Sequence, residues 1–226
     1  MFFFDNTIFL LLPAIALTLY AQYKVKSTYA RYLKIPSGNG LTGKEIAFFL
    51  LNKINLNDIK VELVQGILTD HYDSKNKKLG LSREVYYGQS IAAQGIVAHE
   101  IGHAMQDSQE YFPLLMRNNL VPLSNIGSRM AIPLFLIGFI FTIPMLMEIG
   151  IIVFSIAVFF HIITLPVEFN ASNKAIILLN TEHIISKNEI IYVKKVLNAA
   201  ALTYIAATAV ALLQLLRLVV LRNRRG

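Results

Sequence analysis

The sequence predicts a mainly α-helical, α+β fold in which a domain with a small β-sheet is combined with about four transmembrane helices. Hydrophobic residues make up 55% of the 226 residues, and the mean hydropathy is +0.53, which is too apolar for an ordinary soluble domain. Charged residues are absent between Asp5 and Lys24, Arg129 and Glu148, Glu148 and Glu168, and Lys195 and Arg217. A helix rises about 1.5 Å per residue, so each gap is long enough to cross a hydrocarbon core of about 30 Å.

Three of these uncharged segments are predicted to be transmembrane helices, at 6–23, 130–147 and 149–167. The fourth, 196–217, either crosses the membrane or lies in its surface as an amphipathic anchor. We interpret the first segment as a retained anchor. Residues 1–5 lack the positive charge of a secretory signal, and no small-residue cleavage site precedes Gln22.

The basic residues predict the orientation of the chain in the membrane rather than nucleic-acid binding. The formal net charge is +7, but no basic stripe interleaved with aromatic residues occurs, so we expect no nucleic-acid partner. Lysines and arginines follow the first segment, precede the second and lie between the third and fourth, which places these regions in the cytoplasm by the positive-inside rule. The chain is therefore predicted to be a multi-pass protein of the cell membrane. Arg222, Arg224 and Arg225 conflict with this rule if the last segment crosses.

The polar regions carry signals for short helices and strands. Thr42 and Glu45 form a capping-box pattern that opens a helix. Alternating apolar residues at 59–63 predict one strand, and the segments 68–72 and 78–81 predict two more, joined by a hairpin turn.

A connecting stretch is expected before the second and third hydrophobic segments. The stretch 114–128 contains Pro122 and is interpreted as a connection. The two segments after it form a hairpin that is predicted to turn near Glu148 and Gly150. Pro166 is expected to mark the exit from the bilayer.

The strongest chemical signal lies on a helix predicted at about residues 90–107. His99, Glu100 and His103 form an H-E-x-x-H sequence, and on a helix this spacing places both imidazoles on one face about 6 Å apart, as two zinc ligands require. Glu100 emerges beside them, where it could take a proton from a metal-bound water as general base. Zinc is the expected metal, although nitrogen and oxygen ligands also accept cobalt or manganese.

A catalytic zinc ion needs a third protein ligand. An extended pattern with a third histidine on the same helix fails, because glutamines occupy positions 106 and 109. The third ligand must therefore come from a distant position. The candidates are His71, His161, Glu168, Glu182 and His183.

These residues resemble the neutral zinc metallopeptidases of the YugP type, which are distant relatives of the CAAX prenyl protease and the heat-shock protease HtpX. The resemblance covers nearly the whole chain and rests on H-E-I-G-H-A-M-Q-D at 99–107, E-F-N-A-S at 168–172, and L-T-D-H-Y-D at 68–73 followed by Leu81, Ser82, Val85 and Tyr86. It implies a zincin-like catalytic domain in two parts, 24–128 and 168–195. It also implies a gluzincin site in which His99, His103 and Glu168 bind zinc and Glu100 is the catalytic base.

One departure from the related proteases concerns the residues that orient the ligands. In those proteases an aspartate lies four residues after the third ligand, in an E-x-x-x-D pattern. This chain has Ser172 at that position. Asn170, Ser172 or Asn173 could orient a histidine instead, because ligating imidazoles donate their other N–H to a neighbour. Asp107 is a better candidate than these three, because it lies four residues after His103, and a solvated helix terminus is the equally weighted alternative for it.

Two further histidines have open roles. His161 sits two turns before Glu168 and either serves the site from within the membrane or packs between helices. His71 either contacts substrate or lies at the rim of the cleft.

The predicted function is that of a membrane-embedded zinc metalloendopeptidase acting on peptides or membrane proteins at the cytoplasmic membrane surface. Substrate is expected to add a strand beside 60–64 or 68–72. One alternative is a membrane scaffold or chaperone-like protein with a structural zinc, which would need a fourth ligand. The other is a zinc hydrolase acting on a non-peptide amide or ester. The sequence does not determine the oligomeric state.

Overall fold

The computed structural model describes residues 6–224, so Arg225 lies outside the described residues. A 3-10 helix at Asn6–Leu11 precedes seven α-helices: α1 (Leu12–Tyr32), α2 (Gly43–Lys53), α3 (Arg83–Tyr86), α4 (Ile91–Ser108), α5 (Phe112–Ile140), α6 (Pro144–Thr181) and α7 (Lys187–Asn223). Three strands form one small sheet: β1 (Lys60–Val64), β2 (His71–Asp73) and β3 (Lys78–Ser82). The predicted fold class is confirmed.

Four helices of the described chain are long and apolar enough to cross a membrane. They are Asn6–Tyr32, Phe112–Ile140, Pro144–Thr181 and Lys187–Asn223. The last of them is one continuous helix that contains the whole segment 196–217.

The predicted position of the helical hairpin is wrong. The chain turns at residues 141–143, and both Glu148 and Gly150 lie inside α6. Gly150 is a packing residue, because a Cβ atom added there would lie 2.9 Å from the carbonyl oxygen of Ala131. The break instead precedes Pro144, whose ring suits the first position of a helix and disfavours a helical residue before it.

The stretch 114–128, which was expected to be a connection, is also helical and belongs to α5. Pro122 and Pro133 lie inside this helix. Each removes one backbone donor, which apolar helices tolerate where neighbouring groups satisfy the freed carbonyl. Pro166 likewise lies inside α6, which continues to Thr181.

The chain divides into two compact units, which we call the helical unit and the mixed unit. The helical unit comprises the described parts of Met1–Gln22, Phe112–Pro166 and Leu202–Gly226, and the mixed unit comprises Tyr23–Tyr111 and Val167–Ala201. The mixed unit holds the sheet, α2, α3 and α4, together with segments of the longer helices.

Polar contacts in the helical unit join distant parts of the sequence. Arg222, near the end of α7, forms an ion pair with Glu148, near the start of α6. The buried Arg217 donates from Nε to the hydroxyl of Thr7 at 3.3 Å. Within this unit, the end of α7 therefore lies beside the start of α6 and the 3-10 helix.

The sheet of the mixed unit has the order β1–β3–β2. β2 and β3 pair antiparallel, as the predicted hairpin requires, whereas β1 and β3 pair parallel. The strand expected at 68–72 is limited to His71–Asp73, because Leu68 has a φ of 58° and so interrupts extended backbone. The predicted capping box is confirmed, since Thr42 and Glu45 exchange hydrogen bonds at the start of α2.

Candidate metal centre

Two helices of the mixed unit bring His99, His103 and Glu168 together. Oε2 of Glu168, on α6, lies 3.3 Å from Nε2 of His99 and 3.6 Å from Nε2 of His103, both on α4. The three ligand atoms all lie within 4.8 Å of one another, and within residues 6–224 these side chains form the one such group with metal-binding chemistry. Of the five candidates for the third ligand, Glu168 therefore joins the histidine pair.

The two separations between the Glu168 carboxylate and the imidazoles suit a tetrahedral zinc ion. Zinc bonds to nitrogen and oxygen of about 2.0–2.1 Å, at tetrahedral angles, place neighbouring ligand atoms about 3.4 Å apart. The measured separations of 3.3 and 3.6 Å lie on either side of this value. Two imidazoles and one carboxylate are also the ligand set of catalytic zinc sites that keep a fourth position for water or substrate.

A glycine allows the two helices to approach closely enough. A Cβ atom added to Gly102 would lie 2.5 Å from the carbonyl oxygen of Ala171, which is shorter than any van der Waals contact. Gly102 lies next to His103, and Ala171 lies three residues after Glu168. The close contact between Gly102 and Ala171 thus sets the distance between the candidate ligands.

Each histidine of the pair has its second ring nitrogen beside a polar side chain. Nδ1 of His99 lies 3.2 Å from the hydroxyl of Ser172, and Nδ1 of His103 lies 2.9 Å from Oε1 of Gln106. Ser172 was among the predicted orienting residues. Gln106 was missed, although its spacing of three residues from His103 places both on one helix face.

Asn170 takes part through Gln106 rather than directly. Its Oδ1 atom accepts a hydrogen bond from Nε2 of Gln106 at 2.9 Å. Asn170 therefore supports the residue that contacts His103.

The hydrogen bonds of Asp107 go to the β2–β3 hairpin, and Nδ1 of His103 faces Gln106 instead of the predicted Asp107. Its Oδ2 atom accepts a hydrogen bond from the hydroxyl of Tyr72 at 2.7 Å and forms an ion pair with Lys77 at 2.7 Å. The carboxylate turns toward the β2–β3 hairpin because that hairpin supplies two donors. Asp107 thus holds the sheet to the end of α4.

Glu100 is buried, with 8% of its surface exposed. Burial raises the pKa of its carboxyl to about 7, and the negative charge of Glu168 acts in the same direction. His99 acts in the opposite direction. A carboxyl with this pKa can both accept and release a proton near neutral pH.

The chain is similar over most of its length to known proteins. A family model described as "Putative neutral zinc metallopeptidase" matches residues 7–223. The chain belongs to this family. It is 47% identical over 214 residues to "Putative membrane protease YugP" of Bacillus subtilis (strain 168), and the aligned part covers 95% of each chain. No solved structure is significantly similar to the chain described here.

In this member of the zinc metallopeptidase family, His71 borders the site on the sheet side. The residue is exposed on β2, its Nδ1 atom lies 2.8 Å from the carbonyl oxygen of Thr69, and its ring covers Gly80 of β3. The neighbouring Asp70 accepts hydrogen bonds from the backbone and hydroxyl of Ser82, and burial raises the pKa of Asp70. Asp70 and His71 both act electrostatically on Glu100.

The other third-ligand candidates of this family member lie outside the metal group. Glu182 lies 3.9 Å from Lys53, and His183 is exposed beyond the end of α6. His161 belongs to the helical unit, where it borders a cavity of about 630 Å³ together with Gln22 and Gln214.

Proposed function

We propose that the protein is a membrane-embedded zinc metalloendopeptidase in which His99, His103 and Glu168 bind zinc and Glu100 is the general base. The approach of the Glu168 carboxylate to both imidazoles, at 3.3 and 3.6 Å, is the observation that carries this proposal. Membership of a zinc metallopeptidase family supports the metal and the class of reaction. The similarity to "Putative membrane protease YugP" supports the membrane setting.

Zinc and Glu100 would have different roles in peptide hydrolysis. Zinc, when bound, supplies a Lewis acid that lowers the pKa of water and polarises a peptide carbonyl. Glu100 would take the proton that the attacking water loses and deliver it to the leaving nitrogen. Its burial keeps the carboxyl apart from bulk water, so that proton transfer is directed to the reacting atoms.

Peptide substrate would bind as an added strand at the free edge of β2. Since the sheet order is β1–β3–β2, neither outer strand pairs with a further strand within residues 6–224. β2 is favoured because the contact between Tyr72 and Asp107 holds this strand against α4. Main-chain hydrogen bonds at an edge strand hold a peptide independently of its side chains, and the exposed His71 would contact the bound peptide.

We further propose that the four apolar helices cross the cell membrane and that the mixed unit faces the cytoplasm. The ion pair between Glu148 and Arg222 supports a crossing by α7, because it places the end of this helix beside the α5–α6 turn. With the metal centre on a helix that continues from an apolar segment, membrane proteins and membrane-adjacent peptides are the proposed substrates.

The proposal is tested by stripping the full-length protein of metal in detergent and supplying two substrates, an unfolded model protein and a small ester. We expect cleavage of the model protein to disappear with chelator and to return with added zinc. Ester hydrolysis alone would indicate a non-peptide hydrolase. Full zinc occupancy without turnover of either substrate would favour a scaffold with structural zinc.

A further inference from the structure

We propose that Gln106 is a positioning residue that selects the tautomer of His103 and thereby aims its metal-binding nitrogen. The inference rests on the proposed zinc site and adds a residue to it. Gln106 is fully buried, with 0% of its surface exposed. A buried carboxamide is retained at little cost only when its donors and acceptor are satisfied.

All the polar atoms of the Gln106 side chain have partners. Nε2 donates to the carbonyl oxygen of Val167 at 2.8 Å and to Oδ1 of Asn170 at 2.9 Å. Oε1 lies 2.9 Å from Nδ1 of His103. The side chain therefore connects the histidine on α4 with two residues that flank Glu168 on α6.

These contacts determine which way the carboxamide faces. A backbone carbonyl can only accept, so the atom of Gln106 that faces Val167 must be the NH₂ group. The carbonyl oxygen of the carboxamide is then the atom that faces His103, and it too can only accept. Nδ1 of His103 must therefore carry the proton.

The consequence for the metal follows directly. In a neutral imidazole with a proton on Nδ1, Nε2 keeps the lone pair that a metal ion binds. Nε2 of His103 is the atom that faces Glu168. Gln106 thus prepares this lone pair before any metal arrives, which lowers the cost of ordering the ligand on binding.

His99 lacks an equally strict partner. The hydroxyl of Ser172 can rotate and can either donate or accept, so its contact with Nδ1 is compatible with both tautomers. Gln106 therefore carries the stronger orienting effect of the two. Through Val167 it also restrains the backbone next to the third ligand.

A buried glutamine elsewhere on α4 provides a matched control. Gln94, twelve residues before Gln106, is also 0% exposed. Its side chain forms hydrogen bonds with Ser37 and Asn39. Both Gln106→Leu and Gln94→Leu remove a buried carboxamide of similar size from one helix. Only the first removes a partner of a ligating histidine.

The experiment measures zinc affinity by chelator competition, and histidine tautomers by ¹⁵N NMR of the metal-free, full-length protein in detergent. We expect Gln106→Leu to weaken zinc binding about 10- to 100-fold and to shift His103 away from the Nδ1–H tautomer. Gln94→Leu should change neither property. Gln106→Glu keeps an acceptor for Nδ1 and should retain the tautomer, although it loses the bond to Val167.

Each failure has a distinct meaning. Wild-type protein without zinc binding would contradict the proposed metal site, and the tautomer of its His103 would still test the role of Gln106. Zinc affinity that is unchanged in Gln106→Leu would overturn the inference while leaving the site intact. If that variant does not fold, the role of Gln106 is tested on wild type alone. A wild-type His103 in the neutral tautomer that carries its proton on Nε2 would overturn the inference.

Discussion

The hydroxyl of Ser172 lies 3.2 Å from Nδ1 of His99, and Ser172 lies one helical turn after Glu168. Residues four apart share one face of a helix. The same face of α6 therefore presents both Glu168, a proposed metal ligand, and a partner for His99. The contact makes Ser172 a support for the His99 ring.

Loss of the Ser172 hydroxyl should weaken metal binding. We expect Ser172→Ala to lower zinc affinity about tenfold, because the His99 ring loses the partner of its second nitrogen. Chelator competition measures the effect. Ser108→Ala is the control, since Ser108 is exposed and bonds only within α4. Equal zinc affinity in both variants would contradict the assigned role.

Asp107 should affect stability rather than metal binding. Asp107→Ala removes the partner of Tyr72 and Lys77, and we expect it to lower the free energy of unfolding by about 1–3 kcal/mol. Asp107→Asn keeps an acceptor for Tyr72 and should retain most of that stability. Thermal unfolding and zinc titration check both variants, and a loss of zinc affinity without a loss of stability would refute the assignment.

The close approach of α4 and α6 should depend on Gly102. In Gly102→Ala the new methyl group would meet the backbone of Ala171 at 2.5 Å. We expect a destabilisation of about 1–3 kcal/mol together with weaker zinc binding. Gly95→Ala is the control, because the atom nearest to its methyl group would be in the Val193 side chain, at 3.1 Å, rather than in a backbone. Unchanged stability and zinc affinity in Gly102→Ala would show that the helices do not need this contact.

The membrane topology can be tested by cysteine labelling, because the chain contains no cysteine of its own. In intact cells, an impermeant maleimide should label Thr142→Cys, in the α5–α6 turn, and Asn223→Cys, at the end of α7. Lys75→Cys, in the β2–β3 hairpin, should react only after lysis. If Asn223→Cys instead behaved like Lys75→Cys, α7 would not cross the membrane.

The candidate metal centre was largely predictable because its chemistry is local in sequence. The i, i+4 histidines need only a helix to converge, and Glu168 was implied by family resemblance. The partner of His103 was not predictable in the same way. A buried glutamine has no distinctive sequence signature, and the direction of the Asp107 side chain depends on a hairpin brought there by tertiary packing.

The helical hairpin was misplaced for a related reason. Glu148 ends an uncharged segment, which suggests an exposed turn, but in the structure it pairs with Arg222, 74 residues away. No local pattern shows such a partner. The local signal that did mark the turn is Pro144, because proline favours the first position of a helix.

The most direct test of the central claim compares Glu100→Gln with wild type, measuring bound zinc and cleavage of an unfolded model protein in the same preparations. We expect the variant to bind one zinc ion per chain, as the intact ligands His99, His103 and Glu168 require. Its cleavage rate should fall about 10²- to 10⁴-fold, because no general base remains. Full zinc occupancy with cleavage at the wild-type rate would contradict the account.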